Sequence, residues 1–160
     1  MTIATTVQQQ LAAHGIPYDV VEHRHAATSL GAAHAAHVPA ARLAKCVILE
    51  DDKGFLMAVV PSDARIELGR LQSLLHRRIG LATEEEVAAL FQDCEIGAVP
   101  PIGPAYGMEM VVEERLYGEP DVYIEAGDHC GLIHLTHAAF ADLVGDAARA
   151  QFSRALSVAI

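Results

Sequence analysis

Residues 45–60 restrict the fold more than any other stretch of this chain. The segments "KCVILE" and "FLMAVV" are apolar runs of strand length, and "DDKG" between them supplies turn-forming residues at hairpin spacing. The two runs are expected to pair as antiparallel neighbours, each too apolar to lie on an open surface. Lys45 stands at the mouth of the first run, where a charged side chain is normally unwelcome. Lys45 and Lys53 are the two lysines among eleven basic residues, so lysine is this chain's uncommon way of placing a positive charge. Lys45 can snorkel, with its stem on the core and its ammonium in water, or it can hold a phosphate or polarise a carbonyl at a pocket mouth. The pattern leaves both open.

Around this hairpin the periodicities alternate irregularly. Thr5 to His14 reads as a short helix closed by Gly15, and "PYDVVEH" alternates as a strand does. Thr28 or Ser29 is positioned to cap the small-residue helix "LGAAHAAH", which ends before Pro39. Leu68, Leu71, Leu74 and Leu75 recur at helical spacing between Ile66 and Arg77, and "RIGLA" reads as a short edge strand. Thr83 followed by Glu86 forms a capping-box sequence before "EEEVAALF". The Gly/Pro-rich "GAVPPIGPAYG" cannot be regular structure. Strands "MEMVVE", "DVYIEAG" and "LIHLT" follow, then a helix from about Thr136 to Val144. Without a βαβ alternation, this order predicts an α+β domain on a mixed, mostly antiparallel sheet flanked by helices.

A length of 160 residues suits one domain with one substantial core, so a single domain over 1–160 is expected. Hydrophobic residues at 52% and charged residues at 20% exclude a disordered chain. The longest apolar runs fall far below the ~20 residues that cross a bilayer. The N-terminus lacks a positive region followed by an apolar block, so it does not read as a secretory signal. Cys46, Cys94 and Cys130 lack the spacing of a disulfide framework or zinc knuckle, which makes the cytoplasm the expected compartment. A net charge of -10 argues against DNA and requires any RNA contact to be local. The segment from Arg65 to Arg78, with Arg70 and Arg77 between, is the basic cluster offered for it.

Several chemistries lack their motifs. There is no HExxH among nine histidines, so no metal site is expected, and no GxSxG, Walker or GxGxxG sequence occurs. Two loops remain. "GAVPPIG" is stiffened by Pro100 and Pro101, and the Gly97, Ala98 and Val99 amides have no ladder to join; such a loop can hold a carbonyl or oxyanion, or be a plain turn. "EAGDHCG" shows Gly127, Asp128 and His129 at a tight turn, where turn preference alone can also place them.

Taken together, "AHVPAARLAKCVILE", "GAVPPIG" and "VYIEAGDHCGLIHLTHAAFADL" resemble the YbaK/ProX family of trans-acting aminoacyl-tRNA deacylases, relatives of the prolyl-tRNA synthetase editing domain. The resemblance runs from about Tyr18 to Val144. It implies that family's barrel-like α+β fold, a mischarged tRNA as partner, an aminoacyl-tRNA synthetase as a possible second partner, and no cofactor. It also implies that Lys45 is the catalytic lysine, and that Gly97 to Pro101 is the GxxxP loop whose backbone positions the aminoacyl group. Gly127, Asp128 and His129 depart from the usual form of their loop and, with His23, are candidate pocket residues. In such a site an already activated ester needs a positioned water and stabilisation of developing charge. No side chain is an evident general base, and the resemblance implies assistance from the terminal ribose hydroxyl. A Schiff-base lyase using Lys45 and a silent tRNA- or synthetase-binding module are the alternatives.

Overall fold

The structure, a computed structural model, describes residues 3–156. Helix α1 (Thr5–Ala13) buries Val7 and Leu11, and Gly15, at φ 60°, turns the chain away in the left-handed region. Strand β1 (Asp19–Glu22) precedes helix α2 (Ser29–Ala36). Of the two candidate caps it is Thr28 that serves, its hydroxyl accepting from the Gly31 amide at 3.0 Å.

The expected hairpin forms from β2 (Ala44–Glu50) and β3 (Phe55–Pro61), in register from Ala44 opposite Pro61 to Glu50 opposite Phe55. Asp51 closes it by accepting from the amides of Lys53 and Gly54 at 2.8 and 2.9 Å. Strand β4 (Ala64–Ile66) follows directly, then helix α3 (Leu68–Leu75) and the two-residue edge strand β5 (Gly80–Leu81). The capping box opens α4 (Glu84–Leu90), with Thr83 and Glu86 each accepting from the other's amide. The Gly/Pro-rich segment is irregular until a 3₁₀ turn at Gly103–Tyr106, an element the sequence pattern does not announce. Strands β6 (Glu109–Glu113), β7 (Asp121–Glu125) and β8 (Gly131–Thr136) come next, then α5 (His137–Val144), capped by Thr136. Short strands β9 (Ala148–Ala150) and β10 (Ser153–Ala155) end the described chain.

The fold is α+β with mixed, mostly antiparallel pairing, distributed over three ladders. The largest runs β5-β2-β3-β6-β9; β3 is antiparallel to β2 but parallel to β6, which is parallel to β9. A three-stranded antiparallel ladder runs β1-β8-β7, and β4 pairs with β10. Strand β3 is central and covered on both faces, which explains its unbroken apolar run. Met57 and Val59 face a core shared with the β7–β8 ladder and α5, whereas Leu56, Ala58 and Val60 pack with Leu71 of α3 and Phe152. By strand alternation Lys45 shares the α3 side of β2 with Val47 and Leu49, while Ala44, Cys46 and Ile48 face the other core.

Candidate active site

The start of β2 is pinned from two sides. Leu43 bridges to Tyr123 of β7, and its carbonyl accepts from both the amide and the hydroxyl of Ser62, at 2.8 and 2.7 Å. Ser62, wholly buried, therefore ties the two strands together one residue beyond the ladder. The backbone of Lys45 is fixed by this tie, while its side chain emerges past the apolar cluster.

Lys45 lines an open cavity of about 390 Å³ together with Gly97, Cys46, Ser62 and the Ala27–Leu30 segment. Burial pulls the Lys45 pKa below the ordinary lysine value, with the Asp63 carboxylate opposing that shift and Arg65 adding to it. The start of α2, from Thr28 to Leu30, also lines this space. Gly97 stands at φ 85°, and a side chain there would meet the His129 ring at 3.2 Å and the Ala27 carbonyl at 3.3 Å. Glycine is thus required by both conformation and space.

The rest of the loop supports Gly97. Ala98, Val99, Pro100 and Pro101 are buried, so the segment is an inner wall and not a surface polyproline stretch. Ala98 donates to Glu95 O at 3.0 Å, while among the described residues the Gly97 and Val99 amides have no hydrogen-bond partner. A free backbone donor at Gly97, in the cavity that Lys45 also lines, suits a site where negative charge develops on oxygen.

His129, 5% exposed, lies under this loop and does not line the cavity. Its Nε2 donates to the Ile96 carbonyl, which leaves Nδ1 as a buried acceptor without a partner among the described residues. His25 approaches edge-on with ring centroids 5.3 Å apart, and its Nε2 lies 3.4 Å from Glu95. Gly127 packs against the N-terminal segment, where an added Cβ would meet that of Ala4 at 2.9 Å. Asp128 accepts from the Cys130 amide at 2.9 Å, and the His23 amide donates to the Cys130 carbonyl, also at 2.9 Å. Gly127 and Asp128 therefore belong to the hairpin tip beside the loop, His23 is tied to that tip from the end of β1, and all three stand outside the cavity lining.

Sequence reasoning did not single out Ser62, Asp63 or Glu125, and it named Thr28 only as a helix cap. A serine directly after a strand, in "VVPSDA", is the available signal for Ser62. Glu125 is 1% exposed, both its carboxylate oxygens lack partners among the described residues, and burial aided by Asp128 pushes its pKa up to about 8. Burial likewise raises the Cys46 thiol well above its usual range and Cys94 to about 11, so neither is a thiolate near neutral pH. The basic cluster is divided. Arg77 is held by Asp51 at 3.1 Å and Glu109 at 2.7 Å, and Asp51, at the hairpin turn, is six residues from Lys45, roughly 20 Å along a strand. Arg65 stands at the Lys45 end.

Comparison with known proteins bears on this arrangement. The sequence model of the aminoacyl-tRNA editing domain matches residues 23–143, which include Lys45, the Gly97 loop and the hairpin tip. The chain belongs to the aminoacyl-tRNA editing domain family. A crystal structure described as a candidate trans-editing enzyme for prolyl tRNA synthetase shares 29% identity with this editing domain, at TM-score 0.81, over 94% of this chain and 96% of that one. A scaffold protein from work on computational epitope grafting is similar at 27% identity and TM-score 0.81, over 96% and 97% of the two chains. A candidate signal transduction protein from Marinobacter aquaeolei VT8, 23% identical at TM-score 0.75, shares the fold over 95% of this chain and 31% of its own. No curated protein matches this editing domain. No helix among the described residues is long and apolar enough to cross a membrane.

Proposed function

We propose that this editing domain is a free-standing deacylase that hydrolyses the ester of a mischarged aminoacyl-tRNA in the cytoplasm. The observation that carries the reading is the single cavity that joins Lys45 to the exposed backbone of Gly97. The aminoacyl group enters between α2 and the Gly97 loop. Its carbonyl oxygen gains negative charge as water attacks, and the Lys45 ammonium with the Gly97 amide stabilises that charge in a partly water-excluded site. The Gly97 amide is fixed by its loop and the Lys45 stem rises from a pinned strand, which limits the reorganisation that accompanies the reaction. His129 is a positioning residue, its ring holding Gly97 from below through the Ile96 carbonyl. The ribose hydroxyl next to the ester takes the proton-transfer role for which the cavity offers no side chain. Neutral thiols at Cys46 and Cys94 disfavour a covalent thioester route.

A panel of mischarged tRNAs tests the reading, with prolyl-tRNA species first in view of the candidate prolyl trans-editing relative. Release of free amino acid from at least one member, abolished by Lys45→Ala, is the expected result. The lowered Lys45 pKa equally suits a Schiff-base lysine, so borohydride trapping with carbonyl substrates belongs beside it. A stable lysine adduct would replace the deacylase with a lyase. Tight tRNA binding with no turnover across the panel would leave a silent binding module.

A further inference from the structure

Lys45 borders a second cavity. On the α3 side of β2, an open cleft of about 420 Å³ is walled by Val47, Ile66, Leu68 and Leu81, with Arg65 and Lys45 at its polar edge. Among the residues lining the two cavities, Lys45 alone is common to both. No carboxylate lines the second one, although Asp63 stands close enough to act on Lys45. Among the described residues Arg65 has no ion pair, in contrast to Arg77, whose charge is taken up by Asp51 and Glu109. In a chain of net charge -10 this is a local cationic edge on an apolar floor. Leu81 is 67% exposed and Leu156 41% exposed at the rim, unusual exposure for leucines beside a cleft.

The substrate of the proposed reaction has two unlike parts on either side of its ester. One is an amino acid, whose carbonyl requires the donors of the Gly97 side. The other is a nucleotide, with a flat, largely apolar base face and a phosphate. The second cleft offers aliphatic walls for the first and a guanidinium for the second. We propose, on the basis of the deacylase reading, that this cleft holds the terminal nucleotide of the tRNA, with Arg65 on its 5′ phosphate and the base against Val47, Ile66 and Leu68. The ester then crosses over Lys45, which divides the two halves of the substrate. This deepens the site from a single pocket to a paired one and makes Arg65 the nearest RNA contact.

The test uses adenosine 5′-monophosphate and the full-length chain. The protein has no tryptophan, so Leu81→Trp at the exposed rim places a sole tryptophan, excited selectively over the four tyrosines, beside the cleft. Adenosine 5′-monophosphate should change that fluorescence and compete with aminoacyl-tRNA in deacylation. Arg65→Ala should raise its dissociation constant and the KM for tRNA about tenfold, leave kcat within about twofold, and lower the salt slope of tRNA binding by about one. Adenosine, lacking the phosphate, should bind the parent and Arg65→Ala alike. Absence of competition by adenosine 5′-monophosphate would overturn the proposal, as would an Arg65→Ala variant with unchanged KM. A change of amino-acid preference in Leu68→Ala, with KM for tRNA unaltered, would assign the cleft to the amino-acid side chain instead. If no mischarged tRNA is turned over but binding of adenosine 5′-monophosphate still depends on Arg65, the nucleotide site stands and the deacylase reading falls.

Discussion

The two ends of the β2–β3 hairpin are built to opposite specifications. At the turn, Asp51 accepts two amides, pairs with Arg77, and through Arg77 reaches Glu109 on β6. The amide hydrogen bond from Lys53, with that from Gly54 and the charge of Arg77, holds the Asp51 carboxyl below its ordinary range. At the other end Lys45 is partly desolvated, the buried Asp63 Oδ1 has no hydrogen-bond partner among the described residues, and burial, with Glu125 adding to it, raises the pKa of Cys46, the residue next to Lys45. A buried polar group without a partner generally costs about 1–3 kcal/mol. One end of the ladder is therefore satisfied internally, and the other keeps donors and acceptors in reserve. The difference teaches where in this sheet chemistry is possible: the strands supply rigidity to both ends, but at the turn Arg77 is taken up by Asp51 and Glu109, whereas at the end tied by Ser62 Lys45 and Arg65 have no ion pair among the described residues.

The largest expected effect comes from removing the lysine at the open end. Lys45→Ala should lower deacylation about a hundredfold or more with little change in Tm, and Lys45→Arg should remain poorly active because the geometry changes while the charge stays. Near-normal turnover in the alanine variant, on a substrate the parent demonstrably hydrolyses, would return Lys45 to a snorkelling role and erase the distinction between the ends.

Gly97→Val should come next. Its positive φ and the nearness of His129 and Ala27 mean that both turnover and Tm should fall, the strain being about 1–3 kcal/mol, with the loss of activity exceeding what the unfolded fraction explains. Parallel rate and melting measurements separate the two. Unchanged activity would remove the loop from the site.

Glu125 sharpens the comparison through pH. Its pKa is raised from 4.5 to about 8, so the folded state holds this proton more tightly than the unfolded chain does. The resulting stability is fully present below pH 4.5 and is lost as pH rises through about 8. Glu125→Gln should accordingly flatten the decline of Tm between those pH values, with the largest gain over the parent at alkaline pH. A parallel pH profile for both proteins would mean that Glu125 is ionised and paired after all.

The smallest effects belong at the turn. Asp51→Ala should lower Tm modestly at neutral pH without altering kcat. Because the folded-state pKa is depressed, the parent's advantage should be present above the ordinary aspartate value and fade as acid protonates Asp51. Arg77→Ala should leave the salt slope of tRNA binding almost unchanged, since Arg77 already serves two carboxylates. With a net charge of -10, that slope should be shallow in the parent as well. A clear fall in slope on losing Arg77 would relocate the RNA contact to the turn.

Local chemistry was legible in the sequence wherever one segment contained both halves of an interaction. The hairpin and its Asp51 turn, the Thr83–Glu86 capping box, the Thr136 cap and the irregular Gly97 loop are all of this kind, and Lys45 was conspicuous because a charge opened an apolar run. Tertiary structure alone decided the rest. Strands β4, β9 and β10 have three residues each, too few for a period to register, and the parallel pairing of β3 with β6 joins segments separated by two helices. Glu125 falls on the less buried phase of "DVYIE", with Asp121 and Tyr123; its burial follows from the cover that α2 gives to the face it shares with Tyr123 and Leu132. The sequence could likewise suggest a functional lysine, but not that it stands between two cavities. That depends on the Ser62 tie, the placement of Gly97 over His129 and the arrival of Arg65 on the opposite side, contacts whose geometry is set by packing among residues far apart in the chain.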